Sequence, residues 1–236
     1  MKRLVVFAMV ALAGCVTPRM QTSTAVYDFG LQRFATSAKA EAPGNARLQA
    51  SLLMAEATAP AWLDSTAIHY RLAYYDLAQT YTYASNRWAS PPATLLTQWI
   101  RSRIAGISDG GVMSAADSVQ TDYILRLELE EFTQVFDTSD QSRAVVKWRA
   151  SLINRETRSL VAQRSFHIEQ AAHAPNAAGA VRALAEASDK LIGDLLGWLV
   201  EELREENNIV TSRTFDRPAK RQASDRLTRQ IFENTR

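Results

Sequence analysis

Between residues 122 and 169 apolar and polar side chains alternate in three long runs. In 122–132, Tyr123, Leu125, Leu127 and Leu129 oppose Arg126, Glu128 and Glu130. In 143–153, Ala144, Val146, Trp148 and Leu152 oppose Lys147, Arg149 and Ser151; in 159–169, Leu160, Ala162, Phe166 and Ile168 oppose Gln163, Ser165 and Glu169. A period of two with one polar face predicts half-buried strands of an antiparallel sheet. The intervening Asp137–Gln141 and Asn154–Arg158 are short enough for hairpin turns. Weaker alternation predicts strands over 46–55, 67–75 and 79–84, and a short first strand over 27–31. In 67–75, Ile68, Tyr70, Leu72 and Tyr74 share the apolar side opposite His69 and Arg71.

Two segments switch to helical spacing. Ser90 and Pro91 suit a helix start, Leu95, Leu96, Trp99, Ile100 and Ile104 make one apolar face, and Gly106 suits a stop. A second helix is predicted over 176–203, capped by Asn176, with Val181, Leu184, Leu191, Ile192, Leu195, Leu199 and Leu203 inward. The element order predicts an α+β domain over 27–203: a mostly antiparallel sheet of about five to six strands, with two main helices packed on one face. Residues 38–45, with Pro43 and Gly44, read as a loop. Residues 204–236 lose the pattern; seven Lys/Arg against three Asp/Glu in 211–236 suggest a mobile, mildly basic tail with at most a short helix.

Composition narrows the class. The chain is 47% hydrophobic and 22% charged, enough for a core. Its formal net charge of +2 supplies no field for nucleic acid. Cys15 is the single cysteine, so stability must come from packing. Lys2 and Arg3 precede an apolar run, Leu4 to Leu12, that is shorter than the ~20 residues a spanning helix needs. This reads as a signal peptide over 1–14, followed by a Thr-, Ser- and Gln-rich tether over 15–26.

The end of that run, Leu12-Ala13-Gly14-Cys15, resembles the lipobox of bacterial lipoproteins. The resemblance implies acylation of Cys15 and cleavage before it. Two acyl chains already give stable anchoring. Val16, where an aspartate would signal inner-membrane retention, points to the outer membrane and its periplasmic side. A second resemblance lies in 59–104. Pro60-Ala61-Trp62-Leu63-Asp64, His69-Tyr70-Arg71, Tyr83-Ala84 and Arg87-Trp88-Ala89-Ser90-Pro91 resemble the ABC-type transport auxiliary lipoprotein family. Ser85-Asn86 intrudes on that pattern and suggests a lengthened turn. The resemblance implies a non-catalytic component of an envelope transport system, partnered by an MCE-domain protein or ABC transporter subunits, with a ring of several copies as a further expectation. An alternative is a structural or assembly lipoprotein of an outer-membrane complex.

No phosphate-binding loop or nucleophile elbow is present, and no cofactor is expected. His69, His167 and His173 lack ligand spacing and read as exposed bystanders. Glu128, Glu130 and Glu131 read as a solvated sheet face. Tyr81, Tyr83, Arg87 and Trp88 gather aromatics and a cation near one turn, as interface hot spots do; Trp88 has the competing reading of packing beneath the helix that starts at Pro91. Gly193 and Gly197, surrounded by charged residues, suggest close helix packing on the sheet or on a neighbouring subunit.

Overall fold

The computed structural model describes residues 23–30 and 47–233, with side chains described as far as residue 208. The three alternating runs form the centre of the fold. β6 (Tyr123–Phe136), β7 (Ser142–Asn154) and β8 (Leu160–Ala171) are consecutive antiparallel strands joined by the two predicted hairpins. On its other side β6 carries two parallel partners. Its first residues pair with β2 (Leu52–Met54), its last with β3 (Ala67–Leu72). β3 pairs antiparallel with β4 (Asp76–Trp88), β1 (Ala25–Tyr27) adds in parallel to β4, and β5 (Val112–Ser114) adds in parallel to β2. The result is one eight-stranded, mostly antiparallel sheet.

α1 (Pro92–Ile107) and α2 (Ala177–Glu233) cover one face. Leu96, Trp99, Ile100 and Ile104 of α1, and Leu184, Ile192, Leu195 and Leu199 of α2, join Leu125, Leu127, Val146 and Trp148 in a single core. Thr97 stitches α1 to the β2–β3 connection: its hydroxyl donates to the Ala93 carbonyl and accepts from the Ala57 amide, both at 2.9 Å. The second helix is capped as expected, with the Asn176 side chain accepting from the Gly179 amide at 2.9 Å. The fold class is the predicted α+β one, with short parallel strands β1, β2 and β5 added at the margins.

Several local expectations are corrected. The first strand is Ala25–Tyr27 rather than 27–31, because Phe29 turns into the core and Gly30 takes φ +62°. Only Leu52–Met54 of 46–55 form a strand, with Leu48 held by a single bridge to Ser108. β3 stops at Leu72, so Tyr74 lies in an exposed turn and not on the apolar face. Ser85 and Asn86 sit inside β4, which absorbs them through register shifts against β3 rather than a longer turn. Pro91, not Ser90, is the helix N-cap, with no side-chain cap, and α1 runs one residue past Gly106. Leu160 is 58% exposed: a register shift opposite Leu152 and Ile153 moves it to the wet face. The backbone of α2 continues as helix to Glu233, through the stretch read as a tail. A Cβ at Gly193 or Gly197 would meet nothing within 4 Å, so neither glycine is there for close packing on the sheet. Cys15 and the stretch 1–14 read as a signal peptide lie outside the described residues.

Candidate functional site

Aromatic side chains converge where β3, β4 and the end of β6 meet. Register places Tyr70 opposite Tyr81 across β3–β4 and beside Gln134 of β6. The Tyr70 and Tyr81 rings stack at 5.3 Å between centroids and 20° between planes. Tyr83 tilts against Tyr70 at 4.9 Å, and Phe136 meets Tyr70 edge-on at 5.7 Å. The Tyr83 hydroxyl donates to Oε1 of the fully buried Gln134 at 2.6 Å, and the Gln134 amide donates to Ser142 at 2.7 Å. Burial, and then the neighbouring Tyr70, push the Tyr83 phenol up to about 12. A phenol so held remains a neutral hydrogen-bond donor throughout the physiological range.

Of the four residues singled out as a contact patch, Tyr81 and Tyr83 are thus brought together. Arg87 and Trp88 are not part of that cluster. A register shift lies between the stretch that pairs with His69 and the stretch that pairs with Ala67. Beyond it Trp88 is 1% exposed, packed against Phe29 and Phe132 at 5.4 and 5.6 Å. This is the packing role beneath α1, and it removes Trp88 from any accessible surface. Arg87 remains exposed beside it, paired in register with Val26 of β1.

The opposite face carries a cluster that the sequence pattern did not reveal. His69, expected to be exposed, is 8% exposed. The turn after Pro60 folds Trp62 over it, ring edge to ring at 5.3 Å. Arg71 places its guanidinium 5.2 Å from the Trp62 centroid and lies 3.7 Å from Glu131. Neither His69 nitrogen makes a hydrogen bond of ordinary geometry, although the Trp62 backbone is near enough to act on the ring. Burial lowers its pKa, Arg71 adds to that, and Glu131 and the Trp62 backbone oppose it. The signal was present as Pro60-Ala61-Trp62, but only tertiary structure shows where the tryptophan lands.

Elsewhere the wet face is a ladder of ion pairs. Lys147 meets Glu130 at 2.8 Å, and Arg149 meets Glu130 at 2.5 Å and Glu128 at 3.6 Å. Hydrogen bonds from Lys147 and Arg149 hold the Glu130 carboxyl below its ordinary pKa. These glutamates are paired surface groups, as expected. His173 lies 3.2 Å from Glu186 on a cleft of about 920 Å³ between Val26–Gly30 and the first turns of α2. A second, polar cleft of about 720 Å³ lies by Asp122, Tyr123, Asn154 and Glu156. Among the described residues no three His, Cys, Asp or Glu side chains gather to hold a metal ion, and no helix is long and apolar enough to cross a membrane.

Comparison with known proteins matches this architecture to one family. A family model described as the ABC-type transport auxiliary lipoprotein component matches residues 31–195. A crystal structure of a protein from Xanthomonas campestris superposes with a TM-score of 0.63 at 20% identity, covering 70% of this chain and 92% of that one. A crystal structure of an uncharacterized protein superposes with a TM-score of 0.55 at 16% identity, covering 75% of this chain and 99% of that one. At such identities the likeness is one of fold. No curated protein matches the chain.

Proposed function

The chain belongs to the ABC-type transport auxiliary lipoprotein family, and from that premise we propose that it is an outer-membrane lipoprotein, anchored through acylated Cys15 and facing the periplasm, that serves an MCE-type lipid-transport system by surface contact rather than catalysis. The observation that carries the proposal is the family match across residues 31–195, which spans β2 to β8, α1 and the first turns of α2. The Leu12-Ala13-Gly14-Cys15 stretch supplies the anchor, and the mature chain begins at Cys15. Residues between it and β1 are the tether, and the folded body carries the docking surface.

On β4 that surface offers the half-buried Tyr81 and, beyond the register shift, the exposed Arg87. Tyrosine and arginine are the side chains that most often dominate contact energies. The auxiliary presents them from a rigid sheet, while another subunit hydrolyses ATP.

Fractionation of envelopes tests the anchor: Cys15→Ala should move the protein from the outer-membrane fraction to the soluble periplasm with its fold intact. Cross-linking tests the partner. Recovery of an MCE-domain protein or an ABC subunit, lost in Tyr81→Ser/Arg87→Glu, supports the reading. Recovery of an outer-membrane β-barrel alone would favour an assembly lipoprotein instead.

A further inference from the structure

Seven large apolar side chains are exposed among the described residues, and three of them stand within four consecutive positions. Tyr74, Tyr75 and Leu77 are 54%, 73% and 55% exposed and form the tip of the β3–β4 hairpin. Of the others, Trp62 lies against Arg71, which itself reaches the Leu77 carbonyl, while Val26, Val119 and Leu160 stand far from these positions in sequence. The tip is built to project. The Arg71 guanidinium donates to the Leu77 carbonyl at 3.0 Å, the Ala73 amide to the Phe136 carbonyl at 2.8 Å, and the Ala78 amide to the Asp76 side chain at 2.8 Å. Its backbone is thus tied down while its apolar side chains are left in solvent.

The direction of β1 says what covers them. β1 runs parallel to β4 with Ala25 beside Asn86, so the chain enters β1 from the side on which β4 begins, at Asp76 next to the tip. Ten residue-to-residue steps lead from Cys15 to Ala25, a length of chain that spans at most ~33–36 Å. Ten steps also lead from Asp76 to Asn86, at most ~33 Å of strand. The two register shifts in β4 shorten this toward the length of its partner β3, whose five steps from Ala67 to Leu72 rise ~17 Å. The tip therefore lies within the reach of the anchored tether and on the side from which the tether comes.

Resting on the lipid-anchor reading above, we infer that the Tyr74–Leu77 hairpin tip is a second membrane contact, seated in the headgroup region of the bilayer that holds Cys15. Tyrosine is suited to that place, with an apolar ring toward the acyl chains and a hydroxyl toward water. Three side chains alone would hold a bilayer weakly. The tether converts their contact into an intramolecular event at high effective concentration. The nearest charges are not basic in excess. Arg71, which bonds the Leu77 carbonyl, is shared with Glu131; Asp76 is at the tip, Asp137 of the adjoining β6–β7 turn pairs with Arg143, and Asp140 of that turn accepts from Thr138. The contact is apolar, independent of anionic lipid and insensitive to salt. It fixes the tilt of the sheet on the membrane and hence the direction in which β4 presents Tyr81 and Arg87.

With Cys15 acylated, a cysteine introduced elsewhere is the only free thiol. Full-length lipidated Tyr75→Cys, labelled with an environment-sensitive fluorophore, is reconstituted into vesicles of phosphatidylethanolamine and brominated phosphatidylcholine. Leu160→Cys, exposed on the β7–β8 hairpin, is the control. The tip label should shift to the blue and lose most of its emission to the bromines, at low and high salt alike, while the label at 160 keeps its emission. Flotation with the vesicles but an aqueous tip label overturns the second contact and leaves the anchor standing. Failure to float at all overturns the anchor reading and this inference with it. Tyr74→Ser/Tyr75→Ser/Leu77→Ser should still float, with a label placed at Asp140→Cys losing the quenching it shows in the parent.

Discussion

Tyr83 on β4 donates its phenolic O–H to Oε1 of a buried glutamine, Gln134 near the end of β6, at 2.6 Å, reaching past the intervening β3. Tyr83→Phe keeps the ring against Tyr70 but leaves Oε1 of Gln134 without its donor. An unpaired buried acceptor costs ~1–3 kcal/mol, and urea unfolding should show a loss in that range. Adding Gln134→Leu removes the orphaned group, so the double variant should lose less than the sum of the singles. The phenol also titrates with a defined sign. Its folded pKa of about 12 lies above the ordinary 10, so between those values the unfolded chain releases a proton that the folded one retains. Stability from this group is full below pH ~10 and falls as pH rises toward ~12. Tyr83→Phe should flatten that alkaline limb.

His69 gives the opposite test at the acid side. It is buried beneath Trp62, with Arg71 on its own strand and Glu131 on β6 as the charged groups that face it. Its pKa is lowered, so the neutral ring is the folded form. Above pH ~6.5 the group is neutral in both states; below it the unfolded chain gains a proton first, and stability falls as pH falls. Thermal unfolding between pH 7.5 and 5 should show this decline in the parent and a shallower one in His69→Phe. At pH 7.5 His69→Phe should be neutral or stabilising, since neither ring nitrogen makes a hydrogen bond of ordinary geometry. Parallel pH profiles would show that the histidine does not titrate with folding.

The three long strands and both helices were legible because each carries a full period of its pattern over ten or more residues. What was not legible depended on breaks in that period. A one-residue shift opposite Leu152 and Ile153 sends Leu160 outward although its spacing matches Phe166. β1, β2 and β5 are three residues each, too short to show any period, and they exist because the sheet offers them an edge. Trp62 and His69 are separated by a turn and meet only when it folds back. The grouping of aromatic side chains around β4 was half legible for the same reason. Tyr81 and Tyr83 share one face, whereas the register shift before Arg87 hides Trp88 and leaves Arg87 apart.

The glycines of α2 should separate sharply. A Cβ on Gly179 would stand 2.1 Å from the backbone oxygen of Ala174. That backbone is held by the Asn176 cap, whose amide donates back to the Ala174 carbonyl at 2.9 Å. Gly179→Ala must displace the cap and should cost ~1–3 kcal/mol, as overpacking does. Gly193 and Gly197 meet open space instead. There alanine brings only its better helix propensity, ~1 kcal/mol per site, and thermal melts should move upward for both. If those variants are destabilised, the two glycines serve a close contact that the folded body alone does not display.

Phe29 is the peg that holds the entry strand to the domain. Its ring meets Trp88 and Trp99 at 5.4 Å and Phe132 at 5.8 Å, so it touches β4, α1 and β6 at once. β1 is only three residues long and has one partner strand. Its hydrogen bonds alone would not hold it, and the buried ring two residues later supplies the stabilisation. Phe29→Ala opens a cavity at the centre of the aromatic cluster and should cost ~3–5 kcal/mol. Val26→Ala, on the same strand but 53% exposed, should cost almost nothing. The pair also reports on how the chain enters the sheet. With Phe29 gone, β1 should detach from β4 and limited proteolysis should cut near Tyr27 while β3, β4 and β6 stay protected. A Phe29→Ala loss no larger than that of Val26→Ala would mean that β1 is carried along passively, and that the direction from which the chain enters the sheet is not set by this ring.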